Sequence, residues 1–224
     1  MRNARTSTGD IAERLRGFGP WGLASAILIL LGNGLFVPLS GLLVLAWARL
    51  SSTPLRELGF AKLPHAWRTV LSGVAIGIVA KLVLKAILMP LLGAPPVNAA
   101  YAWLTGNAAA LPGFVLLVLV GAGFGEETVF RGYLFERLRR LLGRSRGADA
   151  AIVVLSSLLF GAAHFHDQGL PGVEQAILVG VLLGTLYLRT ATLWLPMVVH
   201  VAFDLTAVAL IFTGSEKAVA TVFF

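Results

Sequence analysis

The sequence predicts an all-α fold, a polytopic membrane helix bundle of about six to eight transmembrane or re-entrant helices. Three observations predict it. Of the 224 residues, 57% are hydrophobic and 13% are charged, whereas a soluble domain carries about a quarter charged residues. The mean hydropathy is +0.84. The apolar residues also fall into stretches close to the roughly 20 residues that cross a bilayer, with Lys and Arg gathered between them.

The first element is the basic segment MRNARTSTGDIAERLRGFGPWG. It contains acids and has no small-residue cleavage site close behind it, so it reads as a cytoplasmic or interfacial amphipathic segment over residues 1–20. Candidate spans follow at Trp21–Trp47, Thr69–Leu92, Ala108 to Phe135, Ala150–Phe165, Val173–Leu188 and Leu193–Phe212. They divide the chain into N-terminal membrane helices (21–107), a motif-bearing core (108–213) and a C-terminal tail (214–224). There is no internal repeat and no low-complexity tract. The absence of cysteine excludes disulfides, thiolate metal sites and a cysteine nucleophile.

Net charge is +7, but the basic residues lie between apolar spans, which marks topology and not a nucleic-acid partner. Glu136–Arg146 holds Arg137, Arg139, Arg140, Arg144 and Arg146, and the loop from Arg49 to Arg68 is also basic; both are expected on the cytoplasmic side. Gly93–Asn107 and His166–Gly172 contain neither Lys nor Arg and are expected outside. Trp21–Trp47 breaks the pattern, because its two flanks are both basic. Gly32, Asn33, Gly34 and Pro38 mark a break in its middle, and a broken or re-entrant hairpin reconciles the charges.

Ionisable residues inside such spans are costly and by default functional. At 1.5 Å per residue, Glu126 lies about 15 Å from the cytoplasmic end of its helix, His164 about 21 Å deep, and His200 and Asp204 about 10 and 16 Å deep. Half the hydrocarbon thickness is about 15 Å, so three helices bring ionisable groups to similar depth. Glu127 and Arg131 are four residues apart and can pair on one face. Glu126 points about 100° away with no partner in its own helix, which makes it the candidate for proton transfer. His200 and Asp204 share a face, and the acid could orient the imidazole.

Plainer readings stand beside these. Glu127–Arg131 could be a self-neutralised structural pair, and His164 alone could bond a neighbouring helix. Gly121, Gly123 and Gly125 could mark close helix packing, a reading preferred for Gly121 and Gly125. His166 beside Asp167 reads as interfacial and His65 as solvated. Lys81 and Lys85 share a face of the second span and could snorkel, pair with Glu126 or Asp204, or line a polar cavity.

Glu126-Glu127-Thr-Val-Phe-Arg131 fits EExxxR, Phe160-Gly-Ala-Ala-His164 fits FxxxH, and His200-Val-Ala-Phe-Asp204 fits HxxxN/D. In order and spacing they resemble the CPBP family of CAAX proteases and bacteriocin-processing enzymes, also called Abi, to which the type II CAAX prenyl endopeptidase belongs. The resemblance covers about Gly121 to Phe212. It implies an intramembrane endopeptidase whose cavity opens to the cytoplasm. Glu126 would be the general base, His164 would position the water, and His200 with the residue at 204 would stabilise the oxyanion. Asp204 stands where the prenyl endopeptidase has Asn; an ionised aspartate cannot donate to an oxyanion, so Asp204 is protonated, orients His200, or helps hold a metal. A metal-free glutamate mechanism is favoured. Zinc is the alternative cofactor, and Glu126, His164 and His200 would be its ligands.

The reading favoured is hydrolysis of a peptide bond in a membrane protein or peptide, within the lipid bilayer and without nucleic acid. The alternative is a non-catalytic scaffold or bacteriocin-immunity factor of the same family. A transporter would predict two related halves with broken helices, which the sequence lacks. The Ala-, Leu-, Gly- and Arg-rich composition suggests a bacterial inner membrane.

Overall fold

The computed structural model describes residues 4–63 and 65–224; the first three residues of the N-terminal segment lie outside that range. Among the described residues all regular structure is helical. The helices are α1 (Ala4–Arg16), α2 (Pro20–Leu35), α3 (Val37–Leu50), α4 (Ala66–Leu91), α5 (Leu111–Leu142), α6 (Arg146–Ala163), α7 (Phe165–Thr190), α8 (Trp194–Phe212) and α9 (Glu216–Ala220).

Five of them, α4 to α8, are long and apolar enough to cross a membrane, and α1–α2, bent by 59°, makes a sixth if counted as one span. Only 33–50% of each of the five is buried inside the protein. The outward faces carry Leu71, Val79, Leu116, Val154 and Leu158. A surface this apolar needs lipid as its solvent. The chain is an integral, multi-pass membrane protein.

The Trp21–Trp47 stretch resolves into a helical hairpin. The break falls at Phe36, whose backbone is extended (φ −161°, ψ 104°), and Pro38 sits in the first turn of α3, where its missing N–H costs nothing. The arms pack back to back. Gly32 admits Leu43, which a Cβ would meet at 2.9 Å, and the Ser40 hydroxyl donates to Asn33 Oδ1 at 3.3 Å. Arms of 16 and 14 residues are shorter than a full crossing, and both basic flanks return to one end.

That end is well defined. Arg137 donates to the carbonyls of Arg16 and Gly17 at 2.5 Å, Arg16 pairs with Glu57, Arg139 pairs with Asp149, and Leu193 N–H donates to Gly59 O at 2.9 Å. The opposite end is tied by Gly106 N–H to Phe212 O at 3.0 Å, Gln168 to the Tyr101 hydroxyl at 3.3 Å and Asn98 N–H to Glu216.

Two local departures position the site. In α5 the stretches Val118–Glu126 and Thr128–Tyr133 form the wide turns of π-helix, a form found mostly at functional sites. α6 begins at Ser145, whose hydroxyl accepts from Ala148 N–H at 3.1 Å, and ends at His164. Gly169 (φ 62°, ψ −161°) then turns the chain into the long part of α7.

Candidate active site

Four elements deliver the polar residues. α5 brings Glu126, Glu127 and Arg131; α6 ends with His164; α8 carries His200 and Asp204; α4 brings Lys81. Close approach of α4 and α8 depends on Gly77, where a Cβ would lie 2.4 Å from Val199 O. α5 seats against its neighbours at Gly123, where a Cβ would meet Val201 at 2.5 Å, and at Gly125, where it would meet Val37 O at 2.8 Å. Of Gly121, Gly123 and Gly125, the pair preferred from the sequence is Gly121 and Gly125; Gly121 has only ordinary contacts, the nearest at 3.4 Å, so the packing pair is Gly123 and Gly125.

Glu127 and Arg131 form the ion pair their spacing predicts, Nη1 to Oε1 at 2.7 Å, with both side chains fully buried. Arg131 Nη2 also donates to Gly180 O at 3.3 Å, and the guanidinium lies 4.6 Å over the Phe160 ring. The same Glu127 Oε1 accepts from His200 Nδ1 at 2.8 Å. Glu127, not Asp204, thus fixes the imidazole: a neighbouring helix supplies the acid expected from four residues along the same helix.

The other ring nitrogen, Nε2, faces Glu126 Oε2 at 3.7 Å and Asp204 Oδ2 at 3.6 Å. Both distances exceed a hydrogen bond. Glu126 was expected about 100° away from Glu127, yet the two glutamates flank one ring, one beside each nitrogen. The wide turns of α5 change the angular step between successive residues, and a side chain from α8 enters between them.

His164 Nδ1 lies 2.8 Å from Phe160 O. A carbonyl only accepts, so Nδ1 carries the hydrogen and Nε2 presents a lone pair. Phe160 organises the group, with its ring edge-on to His164 at 4.7 Å and to His200 at 5.7 Å. Glu126, His164, His200 and Asp204 all line one cavity of about 670 Å³. Among the described residues no three His, Asp or Glu side chains are grouped to hold a metal ion. Glu126, His164 and His200 do not fit that use as they stand.

Lys81 also lines this cavity. Its ammonium donates to Gln175 Oε1 at 2.9 Å and lies 4.8 Å over the Phe203 ring. Lys85 is turned away and pairs with Glu216 at 2.8 Å, both nearly buried. Sequence reasoning missed Glu216, which sits in the segment read as a tail, and Gln175, which carries no charge to mark it. His166 is 97% exposed and bonded to Asp167 at 2.8 Å.

Asn98, Tyr101, His166, Asp167 and Gln168 line the cavity at the end away from the basic segments. The resemblance implied a cytoplasmic opening; the cavity extends toward the Lys- and Arg-poor connections. Tyr101 stays a hydroxyl there. Burial, then the carboxylates of Asp204, Asp167 and Glu126, push it up to about 12.

The same core stands out in comparison with known proteins. A protein of Escherichia coli described as an uncharacterized 24.3 kDa protein is 32% identical over 98 residues, which is 44% of this chain and 43% of that one. The alignment therefore spans less than half of the curated relative. No solved structure matches. Residues 107–206 match the family model described as type II CAAX prenyl endopeptidase Rce1-like, a segment that contains all three motifs. By motif order and by this match, the core of the chain resembles the Rce1-like CAAX endopeptidases of the CPBP family.

Proposed function

We propose that the chain is an intramembrane endopeptidase that hydrolyses a peptide bond of a membrane-associated protein or peptide, in a bacterial inner membrane. The observation that carries this reading is the arrangement around His200: the buried, paired Glu127 bonded to Nδ1, and Glu126 at 3.7 Å from Nε2, lining one cavity with His164.

In this reading a water sits between Glu126 and the His164 Nε2 lone pair. Glu126 takes a proton as the water oxygen bonds to the carbonyl carbon. His200, held through Nδ1 by Glu127 and carrying hydrogen on Nε2, donates to the oxyanion that forms. Collapse of the tetrahedral intermediate breaks the C–N bond, and the proton on Glu126 passes to the departing amine. Asp204, too far from Nε2 to hold it in a hydrogen bond, leaves that hydrogen for the substrate oxygen. Arg131 neutralises Glu127 and so keeps a buried carboxylate available as the bracket for His200.

The test compares new peptide termini in membranes of cells carrying the wild-type chain and Glu126→Gln, with and without a strong chelator. Termini present in the wild type and lost at least about 100-fold in the variant are expected, as for removal of a general base, with cleavage surviving chelation. Identical termini in both cells, with any wild-type phenotype retained by the variant, would replace the enzyme with the scaffold reading.

A further inference from the structure

We infer that the cavity receives its substrate from the face of the membrane opposite the basic segments, so the polypeptide it takes is membrane-anchored and presents its reacting segment on the non-cytoplasmic side. The substrate side deepens the protease reading; the accessibility it rests on does not need catalysis.

The first ground is what closes the other approach. Between Glu126 and the basic end stand Glu127 and Arg131, both fully buried, and Phe130, Tyr133 and Phe135, each at most 2% exposed. From Glu126 to Leu142, α5 continues for about 24 Å, with Trp47 edge-on against Tyr133 at 4.8 Å. Buried side chains, not open space, separate Glu126 from the basic end.

The second ground is the chemistry of the mouth. His166 and Asp167 are 97% and 73% exposed and bonded to each other, and polar side chains this exposed sit in water. Beside this polar mouth the cavity wall is apolar, with Leu35 and Phe36 from the hairpin turn facing Leu159 and Ala163 of α6; Phe36 and Leu159 are 58% and 45% exposed. A polar mouth adjoining an apolar side fits a substrate whose anchor lies in lipid and whose adjoining chain lies in water.

The third ground is charge. Segments 49–68 and 137–146 and Arg189 cluster at the closed end, whereas residues 93–110 and 164–172 contain no Lys or Arg. The positive-inside rule then assigns the closed end to the cytoplasm and the mouth to the other side.

Because the chain has no cysteine, single-cysteine variants report accessibility directly. His166→Cys marks the mouth, Ala207→Cys the cavity wall and Arg144→Cys the basic end. Each would be labelled with a membrane-impermeant maleimide in intact spheroplasts of a bacterial host, after permeabilisation, and after denaturation to count thiols. The expected pattern is labelling of His166→Cys and Ala207→Cys in intact spheroplasts, several-fold above the cysteine-free chain, with Arg144→Cys labelled only after permeabilisation.

The inference is overturned if Arg144→Cys labels in intact spheroplasts while His166→Cys is protected, or if Ala207→Cys labels only after permeabilisation or stays unreactive until denatured. Adding Glu126→Gln must leave the pattern unchanged. A reversed pattern therefore refutes the side of access without touching the protease reading, and unchanged labelling alongside absent cleavage refutes the protease and leaves the side of access standing.

Discussion

Replacing Arg131 by Met tests the centre of the structure most directly. Met keeps much of the length and volume of the side chain but removes the guanidinium. That takes away the 2.7 Å ion pair to Glu127, the bond to Gly180 O and the stacking on Phe160. Glu127 stays fully buried, and among the described residues its Oε2 already has no partner and His200 Nδ1 becomes the only donor to its carboxylate. Removing one partner of a buried pair costs about 3–5 kcal/mol. For a protein of this size each kcal/mol shifts the melting temperature by about 2–4 °C. Arg131→Met should therefore melt roughly 6–20 °C below the wild type. Glu127→Gln keeps an acceptor for both neighbours but strands the fully buried Arg131 guanidinium, so it should cost a similar amount, about 3–5 kcal/mol. The double variant Glu127→Gln, Arg131→Met removes both charges of the pair and should melt above Arg131→Met alone. The assay is thermal unfolding of detergent-purified protein followed by tryptophan fluorescence. If Arg131→Met melts within about 2 °C of the wild type, or the double variant melts below the single, the buried pair does not neutralise Glu127 in the way described.

Further expectations concern the residues around this centre. Lys85→Met strands Glu216 with only the Asn98 N–H and should destabilise by about 3–5 kcal/mol; trypsin should then cut faster at the exposed Lys217, and Glu216→Gln added to Lys85→Met should restore resistance. Asp204→Asn substitutes a side chain that donates for one that, ionised, does not. The same peptide termini should form at an undiminished rate, and a loss beyond about 10-fold would mean that the aspartate's charge is used in the reaction.

Much of the architecture was legible from residues because lipid imposes it. Five of the predicted spans appear as long apolar helices, since a backbone in hydrocarbon must satisfy its own hydrogen bonds and the length needed to cross is set by the bilayer. The Glu127–Arg131 pair was legible for a similar reason: four-residue spacing is a property of one helix and needs no knowledge of its neighbours. The reading of Trp21–Trp47 as a broken hairpin came from charge on its flanks, and the break falls at Phe36, between the Gly34 and Pro38 that marked it; Gly32 stays helical, with Leu43 packed against it.

By itself, then, the sequence determined that the chain lives in a membrane, which segments cross it, and which polar residues share one depth; each follows from one-dimensional spacing read against the bilayer. Tertiary structure decided the pairings between helices. Glu127 rather than Asp204 holds His200, Glu216 rather than Glu126 answers Lys85, and Lys81 finds Gln175, a residue 94 positions away. It also decided which way the cavity faces. These depend on how far each helix is rotated and shifted against the next, to within an ångström or two. Helix rotation is set by side-chain packing at sites such as Gly77, Gly123 and Gly125, and no periodicity along a single helix encodes it.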